Sequence, residues 1–269
     1  VKVAALQMTS GMQVAVNLAT AQRLLEIAAG DGAQLAVLPE NFAFMGRDEA
    51  DKRAIAEQPG TGPIQDFLAA QALRLGLTIV AGTMPLRVEG EARSAAASLV
   101  YGPDGALLAR YDKIHLFDVD VPGKSEAYRE SAGTAPGREV VVVETPVGRI
   151  GLSVCYDLRF PELYRRMVAE GAQLLVVPSA FTVSTGEAHW DVLLRARAIE
   201  NLCAVVAAAQ WGQHENGRAT WGESRVIDCW GHVVDRLPDG EGCVVAEIDF
   251  ERQAAVRASF PALSHRVLD

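Results

Sequence analysis

Residues 171–179 read GAQLLVVPS and residues 32–40 read GAQLAVLPE, identical at six of nine positions. Each is a short apolar run stopped by proline, the pattern of a strand buried on both faces. The flanks repeat as well. RIGLSVC (149–155) precedes the second copy as KVAALQM (2–8) precedes the first. Between them, residues 14–29 carry Leu18, Ala21, Leu24, Leu25 and Ala28 at helical spacing, and residues 161–170 read as the matching helix. Farther on, residues 62–75 form a predicted helix with Pro63 in its first turn, followed by an apolar strand at 77–83. Their counterparts are a helix at 187–201 and a strand at 203–209. Chance similarity of Ala/Val/Leu-rich strands is the plain alternative, but GAQL followed by a proline-stopped strand recurs in register.

Two βαβαβ halves of this kind predict two sheets, each with helices on its outer face and each burying its inner face against the other. The expected fold class is α/β: a four-layer α-β-β-α sandwich with an internal pseudo-two-fold duplication. Unequal intervals between the matched segments argue for a duplication with different loops and against a solenoid. Residues 94–143 read as strands and turns, with Gly-Pro-Asp-Gly at 102–105 as a turn. No Pro/Gly/Ser linker exceeds a turn, so one domain is expected over residues 1–269.

Hydrophobic residues make up 49% of the 269, which is enough for a large core and unlike a disordered chain. The net charge of −9 comes with no Lys/Arg run longer than Arg165–Arg166, so a nucleic-acid partner is not expected. No apolar stretch approaches the ~20 residues that span a bilayer, so no membrane association is expected. VKVAALQMTS at the start lacks a charged segment and a small-residue cleavage site, so no signal peptide is expected. The cysteines at 155, 203, 229 and 243 form no CxxC, which suits a reducing cytoplasm. Cys203, Cys229 and Cys243 are expected to fill the interior.

Active residues gather at the carboxyl ends of parallel strands. Cys155 is expected to end the first strand of the second half, and Glu40 follows the second strand of the first half, where the other half has Ser179. A cysteine at a strand tip before a turn into a helix suits a nucleophile, and the helix N-terminus favours its thiolate; a structural cysteine is the alternative. A half-buried Glu40 would have a raised pKa and serve as a general base; a solvated loop acid is the alternative. Lys113, in RYDKIHLFD, lies amid Tyr111, Ile114, Leu116 and Phe117 and could instead pair with Asp112 or Asp118. HExxH, GxSxG, Walker A and GxGxxG are absent, and the five histidines lie in no decisive pattern.

Taken together, LPENFAF (38–44), YDKIHLFDVDVPG (111–123) and SVCYDLRFPELYR (153–165) resemble the glutamate, lysine and cysteine motifs of the nitrilase superfamily of carbon–nitrogen hydrolases, in that family's order. The resemblance runs from residue 1 to about residue 266 and implies the same α-β-β-α sandwich. Residues 188–201 and 205–224 are similar to the Nit branch, whose amidases act on deaminated glutathione. The resemblance implies Glu40 as base, Lys113 as electrophilic cation and Cys155 as nucleophile, with the Tyr156 backbone N–H beside Lys113 at the oxyanion. Glu130, in YRESAGTAPG (128–137), matches the family's second glutamate, which supports the lysine and the substrate. This chain departs from the pattern by one extra residue between Lys113 and Glu130. It also has Gly-Glu-Ser at 222–224 and Asp-Cys-Trp-Gly at 228–231 where Gly-His-Ser and Asp-Pro-Trp-Gly are commoner. Those two changes are expected to touch substrate choice.

Arg159, four residues after Cys155, could hold a substrate carboxylate or lock its loop through Asp157 or Glu162. Phe181 and Thr182 are expected to line the pocket, and Trp190 to pack its helix. The implied activity converts a small carboxylated amide to acid plus ammonia through a thioester on Cys155. Deaminated glutathione, cleaved to 2-oxoglutarate and Cys-Gly, is the expected substrate. An ω-amidase acting on 2-oxoglutaramate-like monoamides and an N-carbamoyl hydrolase are the alternatives. A catalytically silent scaffold would show a replaced Glu, Lys or Cys. No metal or organic cofactor is expected. The helix at 187–201 is apolar on more than one face and carries Arg195, Arg197 and Glu200, charges able to pair across a two-fold axis, so a homodimer is expected.

Overall fold

The computed structural model describes residues 1–121 and 127–268; the end of the lysine motif, Pro122 and Gly123, lies outside them. The first half of the chain forms β1 (Lys2–Gln7), α1 (Val14–Gly30), β2 (Leu35–Leu38), α2 (Glu49–Ala54), α3 (Pro63–Leu75), β3 (Thr78–Arg87), β4 (Ser94–Tyr101) and β5 (Leu107–Asp112). A connecting stretch carries β6 (Asp118–Asp120), β7 (Ala127–Arg129) and β8 (Thr134–Ala135). The second half forms β9 (Val142–Thr145), β10 (Gly148–Leu152), α4 (Pro161–Ala169), β11 (Leu174–Val176), α5 (Val183–Asn201) and β12 (Ala204–Ala207). It closes with β13 (Trp211–Gln213), β14 (Ala219–Trp221), β15 (Ser224–Ile227), β16 (Val233–Leu237), β17 (Gly242–Glu247) and α6 (Phe250–Ser259).

One sheet runs β17-β1-β2-β3-β4-β5, with β8 beside β4, and the other runs β16-β15-β12-β11-β10-β9. In each, three parallel strands (β1-β2-β3 and β10-β11-β12) are flanked by one antiparallel strand on one side and two on the other. The duplicated halves are therefore matched strand for strand. Their chain order differs at one place: β9 precedes its parallel core, whereas its counterpart β17 comes from the far end of the chain and pairs with β1 from Lys2↔Glu247 to Gln7↔Gly242. Covering the open edge of β1 satisfies a row of backbone groups that would otherwise invite pairing with another chain.

Alternation along the strands builds the layers. Val3, Ala5, Leu35, Val37 and Val80 of the first sheet share one cluster with Ile150, Leu152, Leu174, Val176 and Val205 of the second. Ala4, Leu6, Ala36, Leu38 and Ile79 point the other way, beneath Leu24 and Leu25 of α1 and Leu68 and Ala72 of α3. Tyr164 and Met167 of α4 and Trp190 and Leu194 of α5 cover the second sheet. The result is the α-β-β-α sandwich.

Several boundaries differ from the sequence reading. α5 begins at Val183, four residues before 187, because the Thr182 side chain accepts the Thr185 N–H and caps it. α2 has no buried residue, so it offers no apolar periodicity to read. Cys203 and Cys229 are buried, but Cys243 is only half-buried on the edge strand β17. Among the described residues, no helix is long and apolar enough to cross a membrane.

Candidate active site

Three chain segments meet at the carboxyl ends of the parallel strands. β2 stops at Leu38, and Pro39 turns the chain into Glu40. This turn lies so close to β3 that a Cβ on Gly82 would sit 1.9 Å from the Pro39 carbonyl oxygen. Only glycine permits that approach. A register shift between Ala81 and Met84 then presents Thr83, whose hydroxyl accepts the Asn41 N–H at 2.9 Å. Lys113 directly follows β5, and its backbone N–H donates to the Ala96 carbonyl at 3.0 Å. Gly137 is the second required glycine, since its N–H donates to the Lys113 carbonyl and a Cβ there would strike the Asp112 carbonyl at 2.0 Å.

Cys155 does not end a strand as expected. β10 stops at Leu152, and Cys155 opens a tight 3-10 turn, Cys155–Arg159, with φ at +50°. A positive φ is costly for a side chain larger than hydrogen. The turn is held by the Cys155 N–H donating to the Pro178 carbonyl at 2.9 Å. Asp157 completes the clamp: one oxygen accepts the Val154 N–H (2.8 Å) and the Tyr111 hydroxyl (2.6 Å), the other the His115 N–H (3.0 Å). His115 Nδ1 lies 2.7 Å from that same oxygen. Asp157 is thus not the partner of Arg159.

The Lys113 ammonium, only 1% exposed, sits between two carboxylates. Its Nζ donates to Glu40 Oε1 at 2.8 Å and to Glu130 Oε1 and Oε2 at 3.0 and 2.8 Å. Glu130 Oε2 also accepts the Phe117 N–H at 2.7 Å. The extra residue in the intervening segment does not prevent Glu130 from reaching the lysine. Glu40 lies within hydrogen-bonding reach of the Cys155 thiol, as does the Ala180 N–H.

Burial would raise the Glu40 pKa, but the Lys113 charge and hydrogen bond outweigh it and hold the carboxyl below its ordinary 4.5. This reverses the expectation of a raised value. Burial opposes the Lys113 charge, yet Glu130 and Glu40 keep its pKa well above normal. Burial, then the Glu40 charge, pushes the Cys155 thiol far up; Lys113 and the Ala180 N–H offset only part of that. The resting site is therefore thiol, carboxylate and ammonium. The thiolate expected from the helix terminus is not the resting form. Such a set can move a proton from sulfur to Glu40 when an electrophile arrives, and Lys113 offers a cation to a developing oxyanion.

A cavity of about 510 Å³ opens over these groups. Tyr156, Arg159, Phe181 and Thr182 line it, though the Thr182 hydroxyl is spent on the α5 cap. Arg159 pairs with no carboxylate among the described residues. Its Nη1 is 3.2 Å from His189 Nδ1, and its guanidinium lies over the rings of Tyr156 and Phe181 at 5.8 and 5.6 Å. The Gly-Glu-Ser change does not reach the cavity: Glu223 binds Arg225 and Arg236, and its carbonyl accepts the Trp190 Nε1–H at 2.9 Å. Among the described residues, no group of three or more His, Cys, Asp or Glu side chains could hold a metal ion. Two residues near the site escape the sequence reading. Gln210, fully buried, donates to the Glu40 carbonyl at 3.0 Å. Arg218 lines the cavity. Both lie in the 205–224 stretch, but nothing there singles them out, because each reaches the site from a distant part of the chain.

The carbon-nitrogen hydrolase family model matches residues 2–258. The chain belongs to that family. This hydrolase is 46% identical over 268 residues to the deaminated glutathione amidase of Synechocystis, across 98% of this chain and 97% of that one. It is 43% identical over 264 residues to the deaminated glutathione amidase of Yersinia enterocolitica, across 98% and 92%. An omega-amidase from Danio rerio is 38% identical over 250 residues, across 93% and 88%. Among solved structures, the C. elegans NitFhit protein superposes with a TM-score of 0.92 at 39% identity. The match covers 99% of this hydrolase but only 65% of the NitFhit chain. The amidase of Nesterenkonia sp. AN1, solved as a glutamate-to-glutamine mutant after Michael addition of acrylamide at the active-site cysteine, gives 0.79 at 27% identity, across 97% and 98%.

Proposed function

We propose that this hydrolase is a cysteine-dependent amidase that cleaves deaminated glutathione. The convergence of Glu40, Lys113 and Cys155 beneath an open cavity carries the reading, and the names of its full-length relatives support the substrate. Cys155 Sγ attacks the amide carbonyl as Glu40 takes the thiol proton. The Lys113 ammonium and the Tyr156 N–H, near the start of its turn where amides lack partners, hold the oxyanion. Glu40 returns the proton to the departing nitrogen as the C–N bond breaks, leaving a thioester on Cys155. A water deprotonated by Glu40 then attacks, the C–S bond breaks, and the sulfur recovers its proton. Glu130 holds Lys113 in place, and the Arg159 guanidinium takes the acyl-side carboxylate, with Phe181 and Thr182 as walls.

The leaving group from deaminated glutathione is an amine and not ammonia. The amide nitrogen of deaminated glutathione belongs to Cys-Gly, so Cys-Gly departs; ammonia is released only from a primary amide such as 2-oxoglutaramate. That substrate is the second reading, favoured by the omega-amidase relative. Steady-state kinetics separate the two. We expect kcat/KM for deaminated glutathione to exceed that for 2-oxoglutaramate by about tenfold or more, the worth of one further charge-assisted contact. The reverse order would make the protein an ω-amidase, and turnover of neither would sink the reading.

The family match over residues 2–258 supports a single catalytic domain. Four free thiols support a reducing cytoplasm. We also assign a homodimer, through the apolar residues of α5 and not through its charged ones. Arg197 is buried within the chain, donating to the Leu158 carbonyl and pairing with Glu200 at 2.9 Å, and Arg195 donates to the Gly231 carbonyl. Exposed apolar groups remain: Val192 and Ile199 on α5, and Trp230 edge-on to Phe260, with centroids 5.5 Å apart. Such a patch suits an isologous interface. Light scattering at micromolar concentration should give twice the chain mass, and Ile199→Asp should yield monomers. A wild-type monomer would reject the assignment.

A further inference from the structure

We propose that Arg218 forms a second carboxylate subsite, which recognises the negative charge carried by the leaving amine. This deepens the amidase reading and rests on it.

The cations along the cavity wall are not equivalent. Lys113 pairs with Glu40 and Glu130, Lys52 with Glu49, Arg47 with Asp51, and Arg129 with Asp120. Arg53 is exposed and turned toward the Ala92 carbonyl. Arg159 and Arg218 remain without a carboxylate partner among the described residues. Arg218 lies between β13 and β14 and is only partly exposed. Its Nη2 donates to the Ala180 carbonyl at 2.7 Å, its guanidinium lies over the Tyr128 ring at 5.1 Å, and its Nε is buried without an acceptor. The side chain is therefore held in one orientation with no carboxylate bonded to it; its charge is felt by Glu40, which is itself paired with Lys113. A carboxylate at its open edge would supply a directly bonded counter-charge, and the planar fork suits that partner.

Position decides which carboxylate. Arg159 belongs to the Cys155 turn and borders only the cavity over the nucleophile. Arg218 borders that cavity and also a second one of about 590 Å³, which extends past Met45, Asn216 and Glu187. The two guanidiniums are therefore different stations. The acyl half stays on Cys155 as a thioester, so its anchor should belong to the nucleophile's own turn. The amine must leave, and the second cavity gives it room. Of the acids along that second cavity, Glu49 is neutralised by Lys52, and Asp48 accepts the Asp51 N–H as the cap of α2. Glu187 is the acid that the incoming carboxylate must avoid.

The test uses deaminated glutathione and its C-terminal carboxamide, which share the acyl group and the scissile bond and differ by one charge. Wild type should prefer the carboxylate form by about 10–100-fold in kcat/KM, the value of one charge-assisted contact. Arg218→Met should bring that ratio near one, through KM, and Arg218→Lys should retain part of it. Any effect on the Ala180 loop or on Glu40 acts on both substrates and cancels in the ratio. Arg159→Met should weaken both alike. A ratio near one in wild type, or one that survives in Arg218→Met, overturns the subsite and leaves the amidase reading standing. Calorimetric binding of the two ligands to Cys155→Ser, with and without Arg218→Met, reads the subsite without turnover. An Arg218-dependent preference there, with no cleavage by wild type, would keep the subsite and overturn the amidase reading.

Discussion

Cys155→Ala should lower kcat by about 10⁵-fold or more, the scale seen when the central member of a catalytic unit is removed. The thiol has no substitute nearby: Glu40 and Lys113 are fixed to one another at 2.8 Å, and neither Cys203 nor Cys229 lines the cavity. The protein should stay folded. Alanine keeps the backbone at φ +50° with a smaller side chain, and the N–H bond to the Pro178 carbonyl and the Asp157 clamp remain. Intact-mass measurement during turnover should show an acyl adduct on wild type and none on the variant. A folded variant with turnover within tenfold of wild type would remove Cys155 from the mechanism. Because burial and Glu40 keep the resting thiol protonated, Cys155 should also alkylate slowly without substrate-like electrophiles.

Lys113→Met should damage both activity and stability. Losing an oxyanion donor costs about 10²–10³ in kcat. The same change leaves the buried Glu40 and the partly buried Glu130 without their cation, and breaking a buried ion pair costs about 3–5 kcal/mol. The stability loss should depend on pH. In wild type the folded Glu40 pKa is depressed, so its contribution is present above the unfolded value and is lost as pH falls through the folded one. In the variant the buried Glu40, without its cation, takes up a proton instead. The gap between the two proteins should therefore be largest near neutrality and shrink below about pH 4. Urea unfolding at both pH values measures it. An equal gap at both would mean that Lys113 contributes packing and not charge.

The site is legible in the sequence to unequal depth. Glu40 and Cys155 can be singled out because each follows an apolar strand, Lys113 because of its apolar neighbours, and the three together because their motifs resemble those of one family; Glu130 can be reached through its match to a further motif. Their ionisation cannot be read. Glu40 reads as a carboxyl raised by burial, but the lysine that reverses the shift is 73 positions away. Asp157 reads as a partner for Arg159 two residues on, but Tyr111 at the end of β5 and His115 in the loop after it claim it from the neighbouring sheet. Arg218 is not singled out within the 205–224 stretch, since an arginine after a glycine turn is ordinary until its lack of a bonded carboxylate is seen in space.

What the sequence determined by itself is local and periodic. The repeated GAQL strands, the helical spacing of α1 and the prolines that stop strands follow from backbone sterics and from the need to bury one face. These are enough to specify two matched halves and hence four layers. What only the tertiary structure decided is every choice between distant partners: β17 completing the first sheet, Arg197 turned inward, Arg218 left unpaired, and the proton held on Cys155 and not on Glu40. Such choices depend on charge–charge distance and local dielectric, which change with each neighbour the fold brings in and leave no trace in a residue's own sequence window.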